Sequence, residues 1–388
     1  MKNHKNLYIG AMSGTSHDAI DVSILKIEKD IALNFFYSKR IPNSLRTKIK
    51  NIVESDLATL VELGRLNKKI GYLFAQAINE SIEQAKLNRS KIECVAISGQ
   101  TIRHDVASAN PFSMQIGDPN VVSNETGLTT VSDFRNMHIS LGGEGAPLVP
   151  EFHNELFYSS RKSKIILNIG GIANYSYIKN KNNFWGSDVG PGNALMDAYC
   201  QKYLNKSFDK DGKIASKGKV NSKELKKLLS HKFFKQKFPK STGKELFNLD
   251  LLSKQFLKES PENILATLVE FTAISIDTSV KTNSHTFDEF IVCGGGGKNK
   301  FLMERLAATL NNQVILSDVY GYDAQAIESM AFAWMGYKRI HNQAMKVQLG
   351  NINLIRVCLA QLLKLNRKRF TTATSCFGIG IIYNKLCA

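Results

Sequence analysis

An α/β fold in two similar units is predicted by three features of this 388-residue sequence. The chain is longer than one hydrophobic core normally organises, so two domains are expected. Two strand, glycine-turn, strand segments recur, at Leu7–Ile27 and Lys164–Ile178. Between and after them, short β-branched runs alternate with amphipathic helical stretches, the pattern of sheets covered by helices.

In the opening segment, LYIGAMSGTSHDAIDVSILKI, Leu7 to Ile9 and Val22 to Ile27 are apolar runs of strand length. Gly10 and Gly14 allow the turn to aim its N–H groups at one point, and Ser13, Thr15 and Ser16 add hydroxyl donors. That concavity suits an anion such as a phosphate. Asp18 and Asp21 would repel the same anion unless a hard cation lies between them, and Mg²⁺ takes one or two carboxylates in such places. A polar hairpin whose Asp and Ser merely close the turn is the plain alternative.

Leu45–Ile52 and Leu57–Leu87 carry apolar residues at helical spacing. Glu93–Ile97 reads as a buried strand that delivers SGQTIRH, residues 98–104, into a loop. Met114–Gly117 and Thr129–Val131 read as short strands, and the first unit is expected to span 1–130. Residues 133–153, with Gly142, Gly143, Gly145 and two prolines, read as a long irregular segment of the kind that carries function. Lys164–Ile169, Gly170, Gly171 and Ile172–Ile178 then repeat the opening architecture. Two such turns in one chain predict a duplicated fold facing one nucleotide from two sides.

Asp188 precedes a Gly-Pro-Gly turn that opens a helix, so a carboxylate and free N–H groups are expected to share one spot. An N-cap would need no flanking glycines, which favours function. Lys202–Leu257 is lysine-rich and helical in parts; its KSTGK and the later GGGGKNK both lack GxxxxGK[ST], which excludes a P-loop. Ile264–Val280 is a long amphipathic helix leading to the strand Glu289–Cys293, four glycines Gly294–Gly297 and a helix Phe301–Leu310. Bare backbone there suits a flat group or a phosphate, without the spacing of a dinucleotide fingerprint. Val314–Ser317 is a further strand, and Asp323–Gly336 a buried helix with Glu328 near its start, facing a cleft or a partner.

A net charge of +17 invites nucleic acid, but the lysines are dispersed and no aromatic-basic RNA motif is present; an anionic small substrate accounts for the charge equally well. No stretch reaches the roughly 18 uncharged apolar residues of a membrane span, and MKNHKNLYIG lacks the features of a signal peptide, so a cytoplasmic protein without a membrane partner is expected. The six scattered cysteines form no CxxC pair and read as reduced thiols. Residues 350–388 form a basic tail without an acidic residue; Leu354–Leu365 reads as a basic amphipathic helix or, preferred, as part of a poorly structured appendage.

GAMSGTSHDAID, SGQTIRH, QIGDPN, FRNMHISLGGEGAPLVPEFH, LNIGGIAN, SDVGPGN, PKSTGKELFN, VCGGGGKN and IESMAFAW occur in this order from about Tyr8 to about Met345. Together they closely resemble the anhydro-N-acetylmuramic acid kinases of peptidoglycan recycling, in the sugar kinase, Hsp70 and actin superfamily. The resemblance implies two RNase-H-like domains, 1–130 and 131–349, closing on ATP and Mg²⁺, with 350–388 as a divergent tail. It assigns Gly14, Thr15, Ser16, His17, Asp18, Ala19, Ile20 and Asp21 to the first phosphate loop, with Asp18 at the Mg²⁺, directly or through water. Gly170 and Gly171 fall on the second phosphate loop and Gly294, Gly295, Gly296 and Gly297 on the adenosine side. Asp188 falls on the catalytic base, Glu328 on a glutamate at the sugar, and Gln100, Thr101 and Arg135 on the sugar site. A homodimer is also implied. The chain departs from the family's usual residues at Ser98 (His), His138 (Asp), Glu144 (Gln) and Ala19 (Gly). A kinase of a different sugar, and a nucleotide-binding protein without catalysis, stay open at this point.

Overall fold

The computed structural model describes residues 5–106, 108–243, 246–282, 286–349, 353–357 and 360–363. The chain opens with a meander of β1 (Leu7–Ser13), β2 (Ala19–Ile27) and β3 (Ile31–Arg40). Helices α1 (Asn43–Ser55) and α2 (Leu60–Gln84) follow, the second begun by the Thr59 hydroxyl accepting the Glu62 N–H. Next come β4 (Ile92–Asp105), β5 (Phe112–Ile116), α3 (Pro119–Thr126), β6 (Thr130–Ser132), α4 (Phe134–Ser140) and α5 (Pro150–Phe157).

A second meander, β7 (Lys164–Ile169), β8 (Ile172–Asn180) and β9 (Asn183–Pro191), runs into α6 (Ala194–Tyr203). Short helical turns and α7 (Ser222–Leu229) lead to α8 (Pro261–Thr282), β10 (Glu289–Cys293), α9 (Lys300–Leu310) and β11 (Val314–Leu316). The chain then forms α10 (Ile327–Ile340), β12 (Met345–Leu349), β13 (Asn353–Val357) and β14 (Gln361–Leu363).

The two sheets share one topology. In the first the order runs β3-β2-β1-β4-β6, with β1 antiparallel to β2 and parallel to β4, which in turn is parallel to β6. In the second the order is β9-β8-β7-β10-β11, with the same pattern of antiparallel and parallel pairs. This is the RNase-H-like arrangement, and its duplication is that of actin-like ATPases, as expected. β5 and β14 extend the first sheet to seven strands.

The core explains how the halves are joined. α10 is buried along most of its length and lies closest to β1, β2 and β4 of the first sheet. Gly10 makes this approach possible, since a Cβ there would stand 1.9 Å from the Ser329 carbonyl oxygen. Around Trp334, residues of the first sheet (Tyr8, Cys94) and of the second (Ile166, Ile291) form one apolar cluster. The expected unit 131–349 is thus met differently at both ends, where β6 and α10 belong to the first sheet by pairing and packing. α8 has the length and hydropathy of a spanning helix, yet most of it is buried against α6, α7, α9 and β9.

Several local expectations change. Ile31–Arg40 is a strand that polar alternation hid. SGQTIRH lies within β4, not in a loop, with Gly99 in a left-handed conformation that lets strand pairing continue with β5. Within 133–153, α4 and α5 flank a shorter irregular stretch. In place of the helix or appendage expected at Leu354–Leu365, β13 pairs with β12 and β14 pairs with β6, where open edge groups reward another strand. Residues 364–388 lie outside the described ones. Cys94, Cys200 and Cys293 are buried free thiols.

Candidate active site

A cleft of about 630 Å³ is lined by the turn from β1 to β2, the turn from β7 to β8, the start of the glycine run after β10 and the start of α10. It collects Gly14, Thr15, Ser16, His17, Asp18, Ala19, Asp21, Thr101, Arg135, Gly170, Gly171, Asp188, Gly294, Gly295 and Glu328. These come from stretches more than three hundred residues apart in sequence. The remaining expected site residues sit elsewhere. Ile20 is fully buried in the core beneath the first sheet, Gly296 packs on Ile169, and Gly297 is buried against Leu316. Gln100 is also fully buried; its Oε1 accepts the Ser13 hydroxyl at 2.7 Å and its Nε2 donates to the Gly14 carbonyl at 3.3 Å. It braces the first turn instead of lining the cleft.

The first turn is rich in oxygen. The Ser16 hydroxyl donates to the Asp18 carboxylate, and the His17 N–H donates to Gly14 O at 3.2 Å. Asp21 on β2 accepts the Ser38 hydroxyl at 2.6 Å. Burial pushes its carboxyl up to about 6, with Asp18, Glu328 and Asp323 adding repulsion and Ser38 opposing. Carboxylates crowded in this way fit a divalent cation. Among the described residues no group of three His, Cys, Asp or Glu could hold a metal ion by itself.

The second turn is tied down. Gly192 N–H and Ala194 N–H both donate to Gly171 O, at 2.9 and 3.0 Å, and Asn193 N–H donates to Gly170 O at 2.8 Å. Gly192 must be glycine here because a Cβ would fall 2.3 Å from Gly170 O. Across the cleft floor, Gly294 takes a left-handed conformation with its Cα against Asn168 Oδ1, and beside Gly295 there is open space. Bare backbone thus faces the cleft at both places, which suits phosphate and adenosine groups.

Asp188 stands near the end of β9 and is buried. Its carboxylate is oriented not by the helix start that follows but by residues 240–243. Thr242 N–H donates to Oδ2 at 2.8 Å and the Ser241 hydroxyl at 3.3 Å, while the Asp188 N–H donates to Lys240 O at 3.0 Å. Burial pushes the carboxyl up to about 7; these two donors and Arg135 oppose the shift, and Glu144 adds to it. Lys240 anchors the bracing segment. Its ammonium is buried, donates to Phe233 O at 3.0 Å and lies over the Phe233 and Phe238 rings, and burial pushes its pKa down to about 8.

Arg135 lines the cleft together with Asp188 and Glu328. Burial lowers its pKa, while Glu328 and Asp188 both favour its charged form, and Nη1 donates to Gly145 O at 2.8 Å. Burial raises Glu328, against the pull of Arg135 and a hydrogen bond from Asn168. Sequence reasoning missed Asn168 and the role of 240–243; the KSTG stretch carried a signal, since a Ser-Thr-Gly run is rich in donors even where it is no P-loop.

Two RNase-H-like units with a glycine turn each, facing one cleft that also holds the buried Asp188 of β9, have the architecture of the actin-like ATPase class. The family profile described as anhydro-N-acetylmuramic acid kinase matches residues 6–350, and the chain belongs to that family. Relatives bearing that name include one from Gamma-proteobacterium EBAC31A08, 59% identical over 350 residues and covering 90% of this chain and 96% of its own. Another, from Vibrio cholerae, is 41% identical over 87% of this chain and 92% of its own; a third, from Mannheimia succiniciproducens, is 40% identical over 87% and 93%.

Proposed function

We propose that this chain uses ATP to open the 1,6-anhydro ring of 1,6-anhydro-N-acetylmuramic acid and to phosphorylate O6, giving N-acetylmuramic acid 6-phosphate and ADP in peptidoglycan recycling. The observation that carries the chemistry is the buried, braced carboxyl of Asp188, held near neutrality on the cleft wall. A base with such a value removes a proton efficiently at neutral pH. Asp188 takes the proton of a water that attacks the anomeric carbon. The C1–O6 bond breaks, and O6 attacks the γ-phosphorus of ATP as the bond to ADP breaks.

Thr242 N–H and the Ser241 hydroxyl hold the carboxylate at one oxygen and leave the other for the water. Arg135, which shares the cleft with Asp188 and Glu328, supplies positive charge where oxygen gains negative charge. Glu328 and Thr101 face the sugar. The hydroxyls and N–H groups of Gly14–Asp18 and the turn Gly170–Gly171 receive phosphate oxygens, and Gly294 and Gly295 lie beside the adenosine. Asp18 and Asp21 would hold Mg²⁺, which when bound neutralises phosphate charge. We place the reaction in the cytoplasm, where ATP is supplied, and take the homodimer as a further expectation open to light scattering.

A coupled ADP-release assay with the anhydro sugar, against ordinary sugars and in water enriched in heavy oxygen, tests this. ADP release only with the anhydro sugar, and label in the anomeric hydroxyl, is the expected result. Release with ordinary sugars and no label would make it a kinase of another sugar. ATP binding with no release for any sugar would mean that catalysis has been lost.

A further inference from the structure

One buried imidazole, outside the groups used above, touches both the irregular stretch after α4 and the C-terminal hairpin. His138 lies in the last turn of α4 and is 3% exposed. Its Nδ1 accepts the Gly145 N–H at 3.1 Å, and its Nε2 lies 2.6 Å from the Gln348 carbonyl oxygen. A carbonyl cannot donate and an N–H cannot accept, so the ring is neutral with its proton on Nε2. Burial and the nearby Arg135 both lower the His138 pKa, while the Gln348 carbonyl opposes them, in keeping with that state.

The carbonyl of the same residue accepts from Arg135. Gly145 is therefore held on both sides of its Cα, its N–H by His138 and its oxygen by the guanidinium that lines the cleft with Asp188 and Glu328. Gly145 adopts a left-handed conformation, and Gly143 leaves the slot for the ring, since a Cβ there would stand 2.0 Å from Nε2. Gln348 continues the link: its Oε1 accepts the Gly186 N–H at 3.1 Å, two residues before Asp188 on β9.

We propose that His138 is a positioning residue, which fixes the backbone at Gly145 and through its carbonyl the Arg135 guanidinium in the cleft that holds Asp188 and Glu328. The role rests on the kinase reading above, and it requires an acceptor at the Nδ1 position. The two nitrogens can be separated by substitution. His138→Asn keeps an acceptor near Nδ1; His138→Gln keeps a donor near Nε2 and loses the acceptor. A loosened guanidinium misplaces charge at the reacting atoms, an effect that reaches about a hundredfold for displacements near 1 Å.

The test combines steady-state kinetics of both variants with ring-nitrogen NMR of histidine-labelled wild-type protein, in which the His138 signals are those lost on substitution. Expected are an unprotonated Nδ1 and a protonated Nε2 at pH 7.5, and a kcat about tenfold or more lower in His138→Gln with KM for ATP unchanged. His138→Asn should recover at least about a third of wild-type kcat by the same misplacement argument. A proton on Nδ1, or equal kcat in the two variants, would overturn the proposal. The wild-type rate with the anhydro sugar is read in the same assay, so a failure of the kinase reading shows there, while the ring tautomer is observed regardless of activity.

Discussion

The two glycine turns that line the cleft are built from the same topology and held in different ways. The turn from β7 to β8 receives three backbone hydrogen bonds from residues 192–194, and Gly192 packs directly on it. The turn from β1 to β2 has one internal backbone bond and is held from outside by the Ile41 N–H on Asp18 O at 2.8 Å and the Gln100 amide on Gly14 O at 3.3 Å, and a Cβ at Gly14 would meet nothing closer than Ser16 Oγ at 3.9 Å. The carboxyls show a contrast: Asp188, the proposed base, is braced by a neighbouring segment, whereas the Asp18 carboxylate, among the described residues, takes the Ser16 hydroxyl of its own turn. Duplication gave two equivalent frames; in the proposed reading the second holds the base in fixed geometry and the first presents oxygen ligands on a more open turn.

The contrast is sharpest in turnover. Asp188→Asn keeps the Thr242 and Ser241 contacts and removes the base, so kcat should fall at least about a hundredfold with ATP binding near normal. Asp18→Asn on the looser turn should instead raise the Mg²⁺ needed for half-maximal rate by about tenfold, the scale of ~1.4 kcal/mol. Mg²⁺ titrations of both variants read this split. An Asp18 variant that lost turnover with an unchanged Mg²⁺ requirement would break the comparison.

Stability should separate the turns next. Gly192→Ala forces a methyl into the Gly170 carbonyl, an overpacking expected to cost about 1–3 kcal/mol. Gly14→Ala meets open space and should stay within about 0.5 kcal/mol. Urea unfolding of the pair measures the difference, and equal losses would mean that the first turn is as tightly held as the second.

Much of this asymmetry was out of reach of the sequence. Strands, glycine turns and the Asp188 and Glu328 positions follow from local pattern, because alternation and turn chemistry act over a few residues. The bracing of Asp188 by 240–243 joins segments more than fifty residues apart, and a run that fails one motif carries no mark of a different partner. Gln100 was expected at the substrate because polar groups after a short strand usually reach a loop; the strand instead continues to Asp105 and turns the amide inward. Assigning α10 to the first sheet required knowing that Gly10, a strand glycine, is the seat of a helix that arrives more than three hundred residues later. The tail shows the converse, since its charge suggested an appendage while the open edge of β6 makes a strand of Gln361–Leu363.

A further effect concerns the thermodynamic side of a fixed base. Asp188 has a carboxyl near 7 in the folded protein against 3.8 for the ordinary group, so between these values the folded state keeps a proton that the unfolded chain has lost. Raising the pH through that interval therefore favours unfolding, with the full penalty present above about 7 and none below about 4. The Asn variant carries no such charge in either state. Its melting temperature should exceed that of the wild type at pH 8, and the difference should close as the pH approaches 4, in parallel scans of the two proteins. Activity follows the opposite sign, because the carboxyl must be ionised to act as a base, so wild-type kcat/KM should fall as the pH drops below about 7. A variant no more stable than wild type at pH 8 would mean that the bracing donors already compensate the buried charge, and the rigid half would then hold its base without cost.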